Sequence, residues 1–181
     1  MEEKFKNLPL RNGVGIVVLN KQNKVFVAKR IDNPKGFWQM PQGGVDNGES
    51  FLTAAYRELE EETSIRNVEL IQEPLKKLSL TDESVDVVVF SQALHHLKEP
   101  EVGLRQANRI CRKGGCLLIA ELESHNQGWV RDKLQHAWQG FSAENLQKML
   151  KHSGWLQIHL ESLPPAREKI FQVLLGTAQK Q

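Results

Sequence analysis

The chain has 181 residues, of which 25% are charged and 40% hydrophobic, with a formal net charge of +2. Folded as one compact body it would bury roughly 70% of its unfolded surface, and its charge balance by itself names neither nucleic acid nor membrane as a partner. No apolar run approaches the ~18 residues of a membrane span, and MEEKFKNLPL lacks the apolar core of a signal peptide, so no membrane partner is expected and the default address is the cytoplasm. Cys111 and Cys116 flank Arg-Lys-Gly-Gly in a spacing that matches no zinc or redox pattern, and are expected to be reduced structural thiols.

In chain order, Val14–Asn20 and Lys24–Arg30 are β-branched runs separated by Lys-Gln-Asn, which predicts a hairpin. The following DNPKGFWQMPQGGVDNGES is a structured loop with at most one short strand, around Trp38–Met40. Ser50 can cap a helix running to about Glu62, with Leu52, Ala55, Tyr56 and Leu59 on one face. Val68–Gln72 is a candidate short strand.

The pattern changes after Pro74. Val85–Gln92 is apolar on both alternating faces, as a strand inside a parallel sheet must be. A helix over Glu101–Arg112, the pair Gly114-Gly115 and a second apolar strand over Cys116–Leu122 complete a strand–helix–strand unit. Helices are predicted over Gly128–Gln139 and Ser142–His152, the latter capped by Ser142 and ended at Ser153-Gly154. Trp155–Ser162 and Ile170–Ala178, separated by Pro164-Pro165, are the closing strands. Residues 1–73 and 74–181 are therefore organised as two different segments.

The chemistry concentrates in the first helix. On a wheel of about 100° per residue, Glu58, Glu61 and Glu62 fall within about 100° of one another, roughly 120° round from the Leu52/Leu59 face. Like charges at this spacing, near the negative end of a helix dipole, repel one another. A hard divalent cation would cancel that repulsion. The alternative is a plain solvated face, and Glu60, pointing elsewhere, is read as solvated.

Gly43, Glu49, Arg57-Glu58, Glu61-Glu62 and Ile65 together resemble the Nudix box, the loop–helix signature of the Nudix hydrolases. Ser64 departs from the pattern, which has glycine there, and should cost about 1 kcal/mol at the helix end without removing a ligand. Arg11-Asn-Gly-Val-Gly15, Ala28-Lys29-Arg30 and Gly36-Phe-Trp-Gln-Met-Pro-Gln-Gly-Gly44 extend the likeness, over residues 10 to about 72. They are similar to the branch containing RNA 5′-pyrophosphohydrolases and diadenosine-polyphosphate hydrolases. The resemblance implies that Glu58, Glu61 and Glu62 hold Mg2+ or Mn2+, with Gly43 lending a carbonyl. It also implies that Glu61 or Glu62 helps to activate water, that Arg11, Lys29 and Arg30 meet phosphate oxygens, and that Trp38 stacks on a base. Lys29 and Arg30 as solvated strand ends, and Trp38 as core, stay open as alternatives.

The second segment resembles something else. Leu75–Leu80, Asp82–Leu97, Arg109–Glu121 and Phe141–Trp155 look in order like the later half of a class I S-adenosylmethionine-dependent methyltransferase. The glycine-rich cofactor turn of that class is missing, so S-adenosylmethionine is not expected to bind. Ser91, Gln92, His95 and His96 follow a strand's C-terminal end, where open α/β sheets place ligands. The histidines are nevertheless read as helix-start residues. A zinc role is not expected, because adjacent residues on a helix diverge and no further ligand is spaced to help.

The resulting expectation is an α/β chain spliced from two families near residues 72–76. Its predicted fold is one composite sheet, combining a Nudix-like hairpin and catalytic helix with the second half of a Rossmann-like methyltransferase sheet. The expected activity is metal-dependent pyrophosphohydrolysis of nucleoside polyphosphates or triphosphorylated RNA 5′ ends. A methyltransferase fragment and a chimeric scaffold without catalysis, natural or engineered, are the rival readings.

Overall fold

A computed structural model describes residues 12–18, 26–29, 38–66, 71, 73–134, 136–163 and 171–181. Arg11, Arg30 and most of the candidate strand Val68–Gln72 lie outside the described residues, while Ile71 is in no strand. The chain divides into two compact units, Met1–Gln72 and Glu73–Gln181.

In the first unit β1 (Gly13–Gly15), β2 (Ala28–Lys29), β3 (Trp38–Gln39) and β4 (Gln42–Gly44) precede helix α1 (Phe51–Thr63). β1 pairs antiparallel with β4, and β2 with β3. The hairpin predicted between the first two runs falls partly outside the described residues, and within them the Phe26 N–H donates to the Val18 carbonyl at 2.8 Å. The glycine-rich loop contributes two short strands, one more than its composition suggested, because Gln42-Gly43-Gly44 lies flat against Gly13-Val14-Gly15.

Ser50 caps α1 as expected, its Oγ accepting from the Thr53 N–H at 3.0 Å. At the far end Ser64 sits in the left-handed region at φ 59° and its N–H donates to Glu60 O, doing with a serine what glycine does without steric cost. Thr63 assists by donating to Leu59 O at 2.6 Å and accepting from the Ile65 N–H at 3.1 Å. Ala54 and Leu59 are the buried positions, while Leu52 and Ala55 are half-buried and Tyr56 is exposed. The predicted apolar face is thus only partly covered, since α1 packs on β1 and β4, two strands of three residues each.

The second unit runs β5 (Val85–Ser91), a 3-10 turn at Leu94–His96, α2 (Pro100–Ile110), β6 (Cys111–Leu122), α3 (Trp129–Leu134), α4 (Ala143–His152), β7 (Leu156–Ser162) and β8 (Val173–Gln179). Its sheet has the order β5-β6-β8-β7, with β5 parallel to β6 and the other neighbours antiparallel. The strand–helix–strand unit is present as predicted, although β6 starts five residues before Cys116. It bulges where Val85 faces Cys111 but Val87 faces Cys116, and Gly114 takes the turn at φ 75°. α3 is shorter than the predicted 128–139 helix because the Ala137 and Trp138 N–H groups both donate to His95 O, which diverts the backbone. Ser142 caps α4 by accepting from the Asn145 N–H at 3.2 Å.

The core of this unit is built from Phe90, Leu94, Leu104, Leu117, Ile119, Leu146, Leu150, Trp155 and Leu174. Trp155 is wholly buried, and its indole N–H is satisfied by Leu104 O at 3.1 Å. The expected composite sheet is not formed among the described residues. The four-stranded sheet draws only on second-unit strands, because β1 through β4 satisfy one another in pairs. No helix among the described residues is long and apolar enough to cross a membrane.

These packings separate in stability measurements. Leu104→Ala should destabilise the second unit by about 2–5 kcal/mol. Ser64→Gly should stabilise the first by about 1 kcal/mol, by removing the left-handed strain. Residue-resolved hydrogen exchange reads the two units apart.

Candidate functional site

The acidic helix is organised around Arg57. Its Nε donates to Glu49 Oε1 at 3.0 Å, and NH2 donates to Glu49 Oε2 and to Gly44 O, both at 2.9 Å. NH1 donates to Glu58 Oε1 at 2.7 Å and reaches Glu61 Oε2 at 3.4 Å. One guanidinium therefore fastens the loop to the helix and draws two of the three predicted metal ligands towards one nitrogen. The paired Arg57 holds the Glu49 carboxyl down at about 2, helped by the Asp46 N–H. Glu49 first, then Glu58, push the Arg57 value up in return.

The third predicted ligand, Glu62, is engaged differently, its Oε2 accepting from the Gln42 N–H at 3.0 Å. Gly43 meets Glu58 directly: a Cβ at residue 43 would fall 1.8–2.0 Å from the Glu58 carboxylate atoms. The carboxylate occupies the space that any other residue would fill, which makes a cradle for it between strand and helix. Glu58 is accordingly 13% exposed, and Glu61 61%. The bonds named here use one oxygen on each of Glu58, Glu61 and Glu62, and a carboxylate offers about four lone-pair sites. An oxygen-rich, anionic donor set of this kind fits a hard divalent cation. Glu60 is taken up by Arg66, in line with its reading as a surface residue.

Of the expected substrate residues, only the backbones of Lys29 and Trp38 lie within the described residues, and these two face each other in the β2–β3 register.

The second unit carries a polar centre that the spacing argument underrated. Glu121, fully buried, accepts from the Ala93 and Leu94 N–H groups at 2.6 Å each and from His95 Nδ1, also at 2.6 Å. His95 and His96 are the second and third residues of the 3-10 turn Leu94–His96, not its start, and their rings do not diverge: the centroids are 4.3 Å apart, and His136 joins them at 4.3 and 4.8 Å. His136 arrives from 40 positions along the chain, so no local pattern could mark it. Glu121 was visible only as the acidic end of an apolar strand. Burial, then His95, His96 and His125, hold the His136 imidazole down from 6.5 to about 4, with Glu121 opposing them.

The sequence matches the NUDIX domain family over residues 9–111, more than half of the chain, and the chain belongs to that family. The matched region extends beyond residue 72, where the resemblance read from the loop and helix ends. The chain is 82% identical over 73 residues to the RNA pyrophosphohydrolase of Pelagibacter ubique (strain HTCC1062), covering 40% of this chain and 46% of that one. To the RNA pyrophosphohydrolase of Rhodospirillum rubrum it is 56% identical over 66 residues, covering 36% and 39%. The chain thus matches less than half the length of these curated relatives. Among solved structures it is similar to an S-adenosylmethionine-dependent methyltransferase, possibly a histamine N-methyltransferase, from Thermotoga maritima. The TM-score is 0.53 at 20% identity, over 72% of this chain and 70% of that one. That likeness establishes the fold, and the chain therefore joins Nudix sequence to a methyltransferase-like architecture.

The low His136 value has a stability consequence. Between pH 6.5 and about 4 the unfolded chain takes up a proton that folded His136 refuses. Stability is therefore full above pH 6.5 and falls as pH drops towards 4. Urea midpoints should decline over that window in the wild type and more shallowly in His136→Gln.

Proposed function

We propose that the first unit is a metal-dependent pyrophosphohydrolase centre of the Nudix type. Its substrates are nucleoside polyphosphates or triphosphorylated RNA 5′ ends. The observation that carries this reading is the Arg57 network, with the Glu58 carboxylate seated against Gly43 and Glu61 held to the same guanidinium. In a family member, such a cluster is better explained by use than by fold, because its repulsion brings no stability of its own.

Glu58, Glu61 and Glu62, with the Gly43 carbonyl, would hold Mg2+ or Mn2+. Such a cation neutralises charge on phosphate oxygens and lowers the pKa of water. The chain's own residues do the rest. Exposed Glu61 and Glu62 are open to water and can accept its proton, which is a general base's task. Glu58, nearly enclosed, serves as a fixed ligand, and Arg57 keeps the carboxylates close when no cation shields them. Arg11, Lys29 and Arg30 would bind phosphate oxygens, and Trp38 would stack on the base. The likeness to RNA pyrophosphohydrolases favours an RNA 5′ end as substrate.

The methyltransferase-like fold supports a second reading, a fragment that binds S-adenosylmethionine, and calorimetric titration with that compound tests it. The decisive assay for the first is Mg2+- or Mn2+-dependent pyrophosphate release from a 5′-triphosphorylated oligoribonucleotide and from nucleoside polyphosphates. Glu61→Gln and Glu62→Gln should each lower the rate, the general base among them by about 10²-fold or more. Glu60→Gln should stay within about twofold of wild type. Equal release by the wild type and both Glu61 and Glu62 variants would overturn the reading. A folded chain inert towards every substrate would leave the scaffold reading standing.

A further inference from the structure

The three imidazoles of the second unit form a donor set of a different kind. The ligand atoms that His95, His96 and His136 can offer all lie within 4.8 Å of one another. They are brought together by backbone, not by accident of side-chain reach. The 3-10 turn presents His95 and His96, and the Ala137 and Trp138 N–H groups clamp the His136 segment onto His95 O at 2.9 and 3.0 Å.

Two further observations point to a ligand. Glu121, wholly buried and satisfied by backbone N–H groups, lies 2.6 Å from His95 Nδ1, and in the tautomer in which Nδ1 donates to it, Nε2 is left with its lone pair. A carboxylate behind the ring fixes its tautomer and raises the basicity of the outward nitrogen, as second-shell partners of metal-ligating histidines do. His136 is only 9% exposed, yet its Nδ1 has no hydrogen-bond partner among the described residues. Burying such an atom unpaired costs about 1–3 kcal/mol. A bound ion would remove that cost.

We infer that His95 through Nε2, His96 and His136 form a three-histidine site for a zinc-class divalent ion, with Glu121 orienting His95 from behind. Imidazole donors favour zinc, copper or nickel over magnesium, so this site and the carboxylate helix differ in the ion they select. A tetrahedral ion with Zn–N of about 2.0–2.1 Å sets its nitrogens roughly 3.4 Å apart. From separations of up to 4.8 Å the cluster must therefore tighten by up to about 1.4 Å, with His96 as its exposed member. Three protein ligands leave a fourth position for water or a substrate atom.

The test uses the full chain carrying Glu61→Gln and Glu62→Gln, which removes two of the competing carboxylates, after stripping with EDTA. Zn2+ is titrated by calorimetry, and Co2+ by visible absorption. The expected result is one equivalent of Zn2+ and a Co2+ spectrum of tetrahedral type. His96→Ala, a substitution at an exposed position, should keep the far-UV circular dichroism and weaken Zn2+ at least tenfold. Glu121→Gln should also weaken it, by about 10–100-fold. Absence of Zn2+ uptake, or a loss smaller than tenfold in folded His96→Ala, overturns the inference.

Discussion

The first unit depends on a single guanidinium. Arg57 is the one described cation that joins the Gly44 carbonyl, Glu49 in the loop, and Glu58 and Glu61 on the helix. Without it, α1 would present a row of like charges beside the negative end of its own dipole, with only Ala54 and Leu59 buried to keep it seated. The apolar contacts of α1 are few, so the charged network carries an unusual share of the task of positioning the helix. That network also draws Glu58 and Glu61 towards one nitrogen. Five bonds from one side chain thus tie the loop to the helix.

In the second unit a buried carboxylate plays the corresponding part. Glu121 sits at the end of β6 and reaches across to the residues that follow β5, where three donors from Ala93, Leu94 and His95 converge on it. It thereby fixes the first turn after a parallel strand, the place where open α/β sheets gather ligands. His95 is then held on both sides, by Glu121 through its ring and by Ala137 and Trp138 through its carbonyl. The imidazole cluster is a consequence of that double hold.

How much of this was legible in the sequence varies with the range of the interaction. Local signals were reliable: Ser50 and Ser142 cap their helices, and Ser64 adopts the left-handed turn that the box pattern demands. The strand β5 falls where its continuous apolar run placed it, β6 covers the predicted Cys116–Leu122 but begins at Cys111, and Glu58, Glu61 and Glu62 lie on the expected helix. Non-local contacts were not legible. Composition says nothing of Gln42-Gly43-Gly44 lying against Gly13-Val14-Gly15, and helical periodicity could not foresee that His95 O would end α3 early. The role of Arg57 as hub was hidden for the same reason, since its partners Glu49 and Gly44 are close only after the loop folds back. His136 joins His95 by tertiary structure alone.

The close approach at Gly43 has a dynamic consequence. Where a side chain normally buffers strand from helix, here the Glu58 carboxylate rests directly on main chain, in the volume of an absent Cβ. Glu58 can answer a small displacement of β4 by turning about its own side-chain torsions, but glycine offers no side chain that could move in its place. Loop and acid cluster thus limit each other's movement, and the bare backbone at Gly43 sets how near Glu58 can come to β4.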